Sequence, residues 1–310
     1  MHIEILGTES LGVRGLSCKI ESGDRTILID PGVALGYQRY GLLPHPFQVA
    51  VGITIREKIK AALTEATDVV ISHYHGDHIP LFDANPYQLD TEHVSGMRQD
   101  VRFWSKDIST LTPRMKERAT ALYAALNRDL LNAEGTCDGN ICFSMPVPHG
   151  DANSAHGEVM MTRIEDGEQV FVHASDIQLL NRKAITKILN WRPDIVLASG
   201  PPIYLKRMSA DQRKNAWENA LRLSREIDTV ILDHHLMRCK EGIAWLKSVS
   251  RETGNRVVCA ADFLRRPRLL LEAQRRQLYS ELPVPEGWHR DYARGKVTVD
   301  NYRMWRGHKT

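Results

Sequence analysis

The sequence predicts an α/β (α+β) fold whose strand tips carry metal-binding chemistry, on three observations. The first thirty residues hold three short apolar runs separated by turn residues, as in an antiparallel meander. The second half alternates helix-like and strand-like stretches. Histidine or aspartate then stands at the end of one apolar run after another, above all in "ISHYHGDHIP", residues 71–80, which brings His73, His75, Asp77 and His78 together.

Taken in order, "HIEILG", "LSCKIES" and, after Gly23-Asp24, "TILIDPG" read as the strands of the meander. The third closes at Asp30, because Pro31 lacks an N–H for the ladder and Gly32 accepts unusual backbone angles. Residues 33–46 hold two glycines and two prolines and read as an irregular surface loop. A helix over Phe47–Ala66 leads into a strand at Asp68–Ile71, and the histidine loop begins where that strand ends. Beyond it the chain is polar and broken, with a short strand at "VRFW" and a helix over Pro113–Leu130, Thr112 capping and Pro at its first position. This stretch, residues 81–135, reads as an insertion or lid.

From Ile141 the strand pattern returns in "ICFSMPVPHG" and in "EVMMTRIEDGEQVFVHASD", two strands joined at Asp166-Gly167, a strong hairpin signal. There follow a helix near Ile177–Asn190, the strand "DIVLAS", the turn Gly200-Pro201-Pro202, and a helix opened by Ser209 with Gln212 as its capping-box partner. The strand "TVILD" ends at His234-His235. A further helix, the strand "RVVCA" and a long Arg-rich helix over Ala261–Ser280 complete the pattern. No internal repeat or low-complexity linker interrupts it, so residues 1–310 read as one domain with a basic helical appendage at 261–310.

A 42% hydrophobic and 25% charged composition is that of a globular chain with a substantial core. A net charge of +3 is too small to imply nucleic acid by itself, since the basic excess is confined to the chain beyond Arg265. That segment reads as an amphipathic helix with a solvated basic face, the alternative being a phosphate-binding surface. Five scattered cysteines and no signal-like start fit a reducing cytoplasm. Cys137 and Cys142 are spaced too widely for a zinc knuckle and read as two unrelated thiols. No apolar run approaches the roughly 20 residues a membrane helix needs.

The histidine loop demands a chemical reason, because His-x-His-x-Asp-His should arise by chance in roughly one such chain in a thousand. Neutral imidazole and carboxylate are good ligands for zinc and similar ions. His73 and His75, two apart, face the same way in an extended segment. Asp77 and His78 follow a turn at Gly76 and can address an adjacent ion about 3.5–4 Å away. Two ions need further ligands at later strand tips, and His149, Asp176 and His234 or His235 stand there. Singly, His149 could be a turn histidine, Asp176 a helix N-cap and His234-His235 a surface pair. Together they favour a site, with Asp30 placed to orient a ligand histidine.

This ordered set, Asp30, His73-x-His75-x-Asp77-His78, His149, Asp176 and His234, resembles the metallo-β-lactamase superfamily over residues 1–240. Within it "SLGVR", "DPGVALGYQRYGL", "SHYHGDH", "SGPPIY" and "DHH" look like a little-characterised, largely archaeal branch of metal-dependent hydrolases. The resemblance implies a four-layer αββα sandwich with a two-metal cleft at one edge. It assigns His73, His75 and His149 to the first ion and Asp77, His78 and His234 (or His235) to the second, with Asp176 between them. The ions would be zinc, with iron or manganese as alternatives, a bridging hydroxide would be the nucleophile, and Asp77 would orient it as the catalytic carboxylate. The sequence departs from many relatives after His78, where Ile79-Pro80-Leu81 replaces a glycine-containing exit.

The same centre serves several chemistries, so the fold does not name the reaction. The resemblance of "EILGTESLGVRGLSC" to the start of phosphodiesterases and tRNA-processing nucleases favours a phosphodiester or nucleic-acid-like substrate. A thioester or lactone hydrolase and an iron-dependent oxidoreductase are the alternatives. Tyr204, Arg39 and Tyr40 are candidates to contact a small-molecule or phosphodiester substrate. No membrane partner is expected, and a homo-oligomer is compatible with the sequence.

Overall fold

The computed structural model describes residues 1–94, 97–127, 131–151 and 156–302. The meander forms as expected, with β1 (His2–Gly7), β2 (Ser17–Ser22) and β3 (Arg25–Ile29) paired antiparallel. The helix α1 (Pro46–Glu65) carries the chain back across the outer face to β4 (Asp68–Ile71), which pairs parallel with β3. His45 caps α1 through its ring, which accepts the Phe47 N–H at 3.1 Å. The sheet is continued in parallel by β5 (Arg102–Ser105) and β6 (Leu131–Asn132).

Between β5 and β6 lies α2 (Pro113–Leu126). It ends at Asn127, whose left-handed φ of 47° stops it, and residues 128–130 of the expected helix lie outside the described chain. Thr112 precedes α2, but its side chain makes no capping hydrogen bond. Met115, Ala119 and Leu122 of α2 bury Tyr74, Ile79 and Leu81, so the histidine loop leaves the sheet beneath this helix. That packing accounts for the apolar Ile79-Pro80-Leu81 exit.

The second sheet runs β15, β14, β13, β12, β11, β8, β7. Its antiparallel part is β7 (Cys137–Asp138), β8 (Ile141–Phe143), β11 (Thr162–Glu165) and the start of β12 (Val170–His173), with β11 and β12 joined by the expected Asp166-Gly167 hairpin. Its parallel part adds β13 (Ile195–Ala198), β14 (Thr229–Leu232) and β15 (Arg256–Val258). The helices α3 (Arg182–Asn190), α4 (Ala210–Glu226) and α5 (Glu241–Thr253) are the crossovers. Ser209 and Gln212 form the expected capping box at α4. A small ladder of β9 (Val147–Pro148) and β10 (Glu158–Val159) stands apart.

The two sheets face each other. Ile5, Ile20, Ile29 and Val70 of the first share one core with Phe143, Ile164, Phe171 and Leu197 of the second. Leu6, Leu28 and Val69, one residue out of phase on their strands, face away and pack on Ile55, Ile59 and Leu63 of α1. The order is helix, sheet, sheet, helix, the αββα sandwich.

Three local expectations are corrected. Cys137 and Cys142 are not unrelated thiols: the turn at Gly139, with φ 57°, makes them directly opposed partners of the β7–β8 hairpin, and they form a disulfide. The helix after Asp176 begins only at Arg182, capped by Asn181, because Ser175, Gln178 and Leu179 hold positive φ angles that a right-handed helix cannot contain. The long Arg-rich helix is broken into α6 (Ala260–Phe263) and α7 (Arg275–Glu281), with α8 (Trp288–Ala293) beyond. Pro267 cannot sit inside a helix, Arg265 has φ 53°, and the Leu269 N–H binds the Ser10 carbonyl instead. Its arginines are largely engaged: Arg268 pairs with Asp262, Arg275 is buried on Gln48, and Arg276 lies over the Tyr40 ring.

Candidate metal centre

Every candidate metal ligand except Asp77 and His75 is buried, as is Asp30, and all converge on the edge where β4, β12 and β14 end. His73 and His75 leave β4 in extended backbone. The turn at Gly76 then brings the His78 N–H back to the His75 carbonyl at 2.9 Å. Gly32 makes room for this loop, since a Cβ there would lie 2.2 Å from the His78 carbonyl carbon.

Asp30 is the anchor. It adopts a left-handed φ of 49°, uncommon for a residue with a side chain, and its carboxylate accepts from the Ser72 N–H (2.8 Å), the Ser72 hydroxyl (2.7 Å) and His78 Nδ1 (2.9 Å). The last contact fixes the His78 proton on Nδ1 and leaves Nε2 aimed into the centre. There it lies 3.4 Å from Asp176 Oδ2 without a hydrogen-bond partner. Carboxylate-oriented histidine is the arrangement metal sites use to fix a ligand's tautomer.

The remaining donors arrive from the second sheet and from the small ladder beside it. The β9–β10 ladder places His149, whose Nε2 is 3.1 Å from Asp176 Oδ2. His73 Nε2 lies 3.0 Å from His75 Nδ1 and 3.9 Å from Asp176 Oδ2. Ligand atoms of His73, His75, His149 and Asp176 all fall within 4.8 Å of one another, and so do those of Asp77, His78 and His234. Asp176 Oδ1 is buried with no partner. His78 Nε2 and Asp176 Oδ1, buried without partners amid the converging imidazoles, cost free energy unless a cation completes them, so the residues present fit divalent ions.

The electrostatics agree. Burial and the neighbouring His149 push His75 down to about 3, and burial with the Arg238 charge pushes His234 down to about 4, so both rings are neutral with lone pairs to offer. At His78 burial works the same way, but Asp176 and Asp30 outweigh it and hold the ring well above its usual range. The centre thus draws positive charge to Nε2, where a metal ion would displace the proton.

The histidine doublet divides. His234 approaches Asp77 at 3.3 Å, while its Nδ1 accepts the Gly15 N–H at 3.2 Å. His235 faces the other way, with Nε2 3.1 Å from Asp176 Oδ2 and its ring near His149. The cleft above, about 410 Å³, is lined by Asp77, Asp176, His235 and Tyr204 among others. Arg39 and Tyr40 do not line it. Arg39 stacks on the Tyr204 ring at 4.6 Å and donates to the Arg238 carbonyl at 3.0 Å, and Tyr40 is exposed.

Sequence reasoning missed the charged residues around the centre. Arg238 is buried, with Nη2 2.8 Å from His234 Nε2 and 3.6 Å from Asp77 Oδ2, and its Nε donates to Glu9 at 2.8 Å. Arg14 clamps Glu272 with bonds of 2.7 and 2.6 Å. Arg118, Arg207, His156 and Gln178 also face the cleft. The one available signal was Arg238 itself, four residues beyond His234 and directly after the apolar pair Leu236-Met237.

The metallo-beta-lactamase superfamily model matches residues 17–135, which include β2 and β3 of the meander and the histidine loop. A UPF0282 protein of Methanosarcina mazei is 48% identical over 304 residues, covering 98% of this chain and 100% of that protein. The chain belongs to the UPF0282 family of the metallo-β-lactamase superfamily. Another UPF0282 protein, of Thermococcus sibiricus, is 34% identical over 321 residues, covering 93% of this chain and 100% of its own length. Among solved structures, a metal-dependent hydrolase of the beta-lactamase superfamily aligns at TM-score 0.49 with 16% identity, covering 83% of this chain and 95% of that one. Among the described residues of this UPF0282 protein, no helix is long and apolar enough to cross a membrane.

Proposed function

We propose that this protein is a metal-dependent hydrolase acting on a phosphodiester. The observation that carries the reading is the convergence of His73, His75, His149 and Asp176 beside Asp77, His78 and His234, with His78 Nε2 and Asp176 Oδ1 left without protein partners. Two divalent ions held there, zinc first among the candidates, would supply an acidified water and Lewis-acid charge. His73, His75 and His149 would hold one ion; Asp77, His78 and His234 the other; and Asp176 would serve both. Of the doublet, His234 is preferred because it faces Asp77 and His78, whereas His235 lies on the cleft side of Asp176.

Asp77, partly open to the cleft and held between His234 and Arg238, is placed to accept the water's proton and align its lone pair. The Arg238 guanidinium adds fixed positive charge at the same edge. Such charge favours a transition state that gathers negative charge on several oxygens, as a phosphoryl group does, and this is the reason for preferring phosphodiester over thioester or lactone. The segment 81–135 would close one side of the cleft through α2 and Arg118.

The test is hydrolysis of bis(4-nitrophenyl) phosphate by protein loaded separately with zinc, manganese and iron, with metal content measured on the same samples. About two ions per chain and turnover that disappears in Asp176→Ala support the reading. Turnover of a thioester or lactone panel in place of the diester would reassign the substrate, and iron with oxygen consumption would reassign the chemistry.

A further inference from the structure

Four arginines line the cleft: Arg14, Arg118, Arg207 and Arg238. Two are committed within the protein, Arg14 to Glu272 and Arg238 to Glu9. The other two are not. Arg118, half-buried on α2, makes one long hydrogen bond of 3.5 Å to the Tyr74 carbonyl, and Arg207 rises from the loop after Gly200. Among the described residues neither forms an ion pair with a carboxylate.

Arg118 reaches the metal loop itself. Gly76 is closely packed: a Cβ there would meet Leu81 Cδ1 at 2.8 Å, with Arg118 Nη2 and Gln88 Nε2 each 3.3 Å away, so a guanidinium and an amide donor stand directly beside the histidine loop. Arg207 lines the same cleft as His156, whose ring lies 5.4 Å from that of His149. The cleft's acidic groups are Asp77 and Asp176, whose charge the ions would consume. What remains facing the cleft mouth is positive, and within about 410 Å³ it suits a small molecule.

We propose that the substrate is a small molecule carrying a second anionic group, a carboxylate or phosphate separate from the reacting phosphodiester, and that Arg118 and Arg207 bind it. The inference rests on the hydrolase reading for which end of the molecule reacts. Planar guanidinium groups match carboxylate and phosphate oxygens through paired N–H bonds, and an uncommitted arginine binds them without breaking an internal pair. In a cleft already holding the reacting phosphoryl group at its floor, this second anion sets which substrate enters and in which direction.

The experiment is calorimetric titration of the metal-replete protein with 3-phosphonopropionate and with propylphosphonate, which share a phosphonate and differ in the remote carboxylate. The wild type is expected to prefer 3-phosphonopropionate by about tenfold or more. The preference is expected to fall to within about twofold in Arg118→Gln/Arg207→Gln and to persist in Arg118→Lys/Arg207→Lys, which keeps the charge. Equal binding in the wild type, or a preference that survives in the glutamine variant, overturns the proposal. Loss of diester hydrolysis is a separate readout: if methyl 4-nitrophenyl phosphate is not cleaved while the arginine-dependent preference holds, the hydrolase reading falls and the anion site stands.

Discussion

Two buried polar clusters lie side by side at the open edge of the sandwich, and they are built on opposite plans. The Glu9–Arg238 and Arg14–Glu272 pairs close on themselves through bonds of 2.6–2.8 Å. The histidine-aspartate cluster does not close: His78 Nε2, Asp176 Oδ1 and His235 Nδ1 are buried without partners. Burial makes an unpaired polar atom costly, and three such atoms gathered in one imidazole-carboxylate cluster point to a partner that comes from outside. The charged pairs, by contrast, hold the wall against which the open cluster is set, since Arg238 touches both His234 and Asp77.

This contrast can be broken from either side. On the open cluster, His75→Ala and Asp176→Ala are each expected to lower diester turnover by about a thousandfold or more, roughly 4 kcal/mol of transition-state stabilisation, while the fold survives. Steady-state kinetics with circular dichroism checks both halves of that statement, and retained turnover places the chemistry elsewhere.

On the closed cluster the loss is one of stability. Glu272→Gln leaves Arg14 buried without its counter-charge and is expected to destabilise by about 3 kcal/mol in urea unfolding. The pH dependence gives its sign. Burial alone would push the Glu272 carboxyl up, but Arg14 outweighs it and holds it at about 2, below the ordinary 4.5. A depressed folded pKa stabilises fully above about 4.5 and is lost as pH falls towards 2, so the wild type is expected to lose stability across that window and Glu272→Gln to lose less.

Chelation acts on the open cluster alone. Free metal at about a hundred times its dissociation constant adds roughly 2.7 kcal/mol to the folded state, so EDTA is expected to lower the melting temperature of the wild type. His78→Ala is expected to shrink that difference, and an unchanged EDTA effect would remove His78 from the ligands. The smallest effect is at the rim: reducing the Cys137–Cys142 bond closes no long loop and is expected to cost at most about 2 kcal/mol, with no change in turnover.

The open cluster was legible in the sequence because its residues are rare and their spacing is short. His73 to His78 lie in one loop, and His149, Asp176 and His234-His235 each terminate an apolar run. The strand-tip rule found them without knowing which strands pair. The meander and the αβ alternation were legible for the same reason, since period and turn residues are local signals. The closed cluster was not: Glu9 and Arg238 are 229 positions apart, and nothing local marks a charge as buried. The broken Arg-rich segment shows the opposite failure, where a helical pattern around Pro267 was overridden by a backbone bond to Ser10. The disulfide was hidden by a spacing rule for zinc, when a two-residue turn made the cysteines neighbours.

The seam between the sheets is where the site is divided. His73, His75, Asp77 and His78 belong to the first sheet's edge, whereas Asp176 and His234 belong to the second's and His149 to the small β9–β10 ladder. Neither half alone holds a complete ligand set for either ion. Metal bound under the proposed assignment would therefore work as a rivet across the sandwich, and its affinity would gauge how tightly the two halves are joined: a core substitution far from the cleft, on the shared face of Ile20 or Phe171, should loosen the metal before it unfolds the chain.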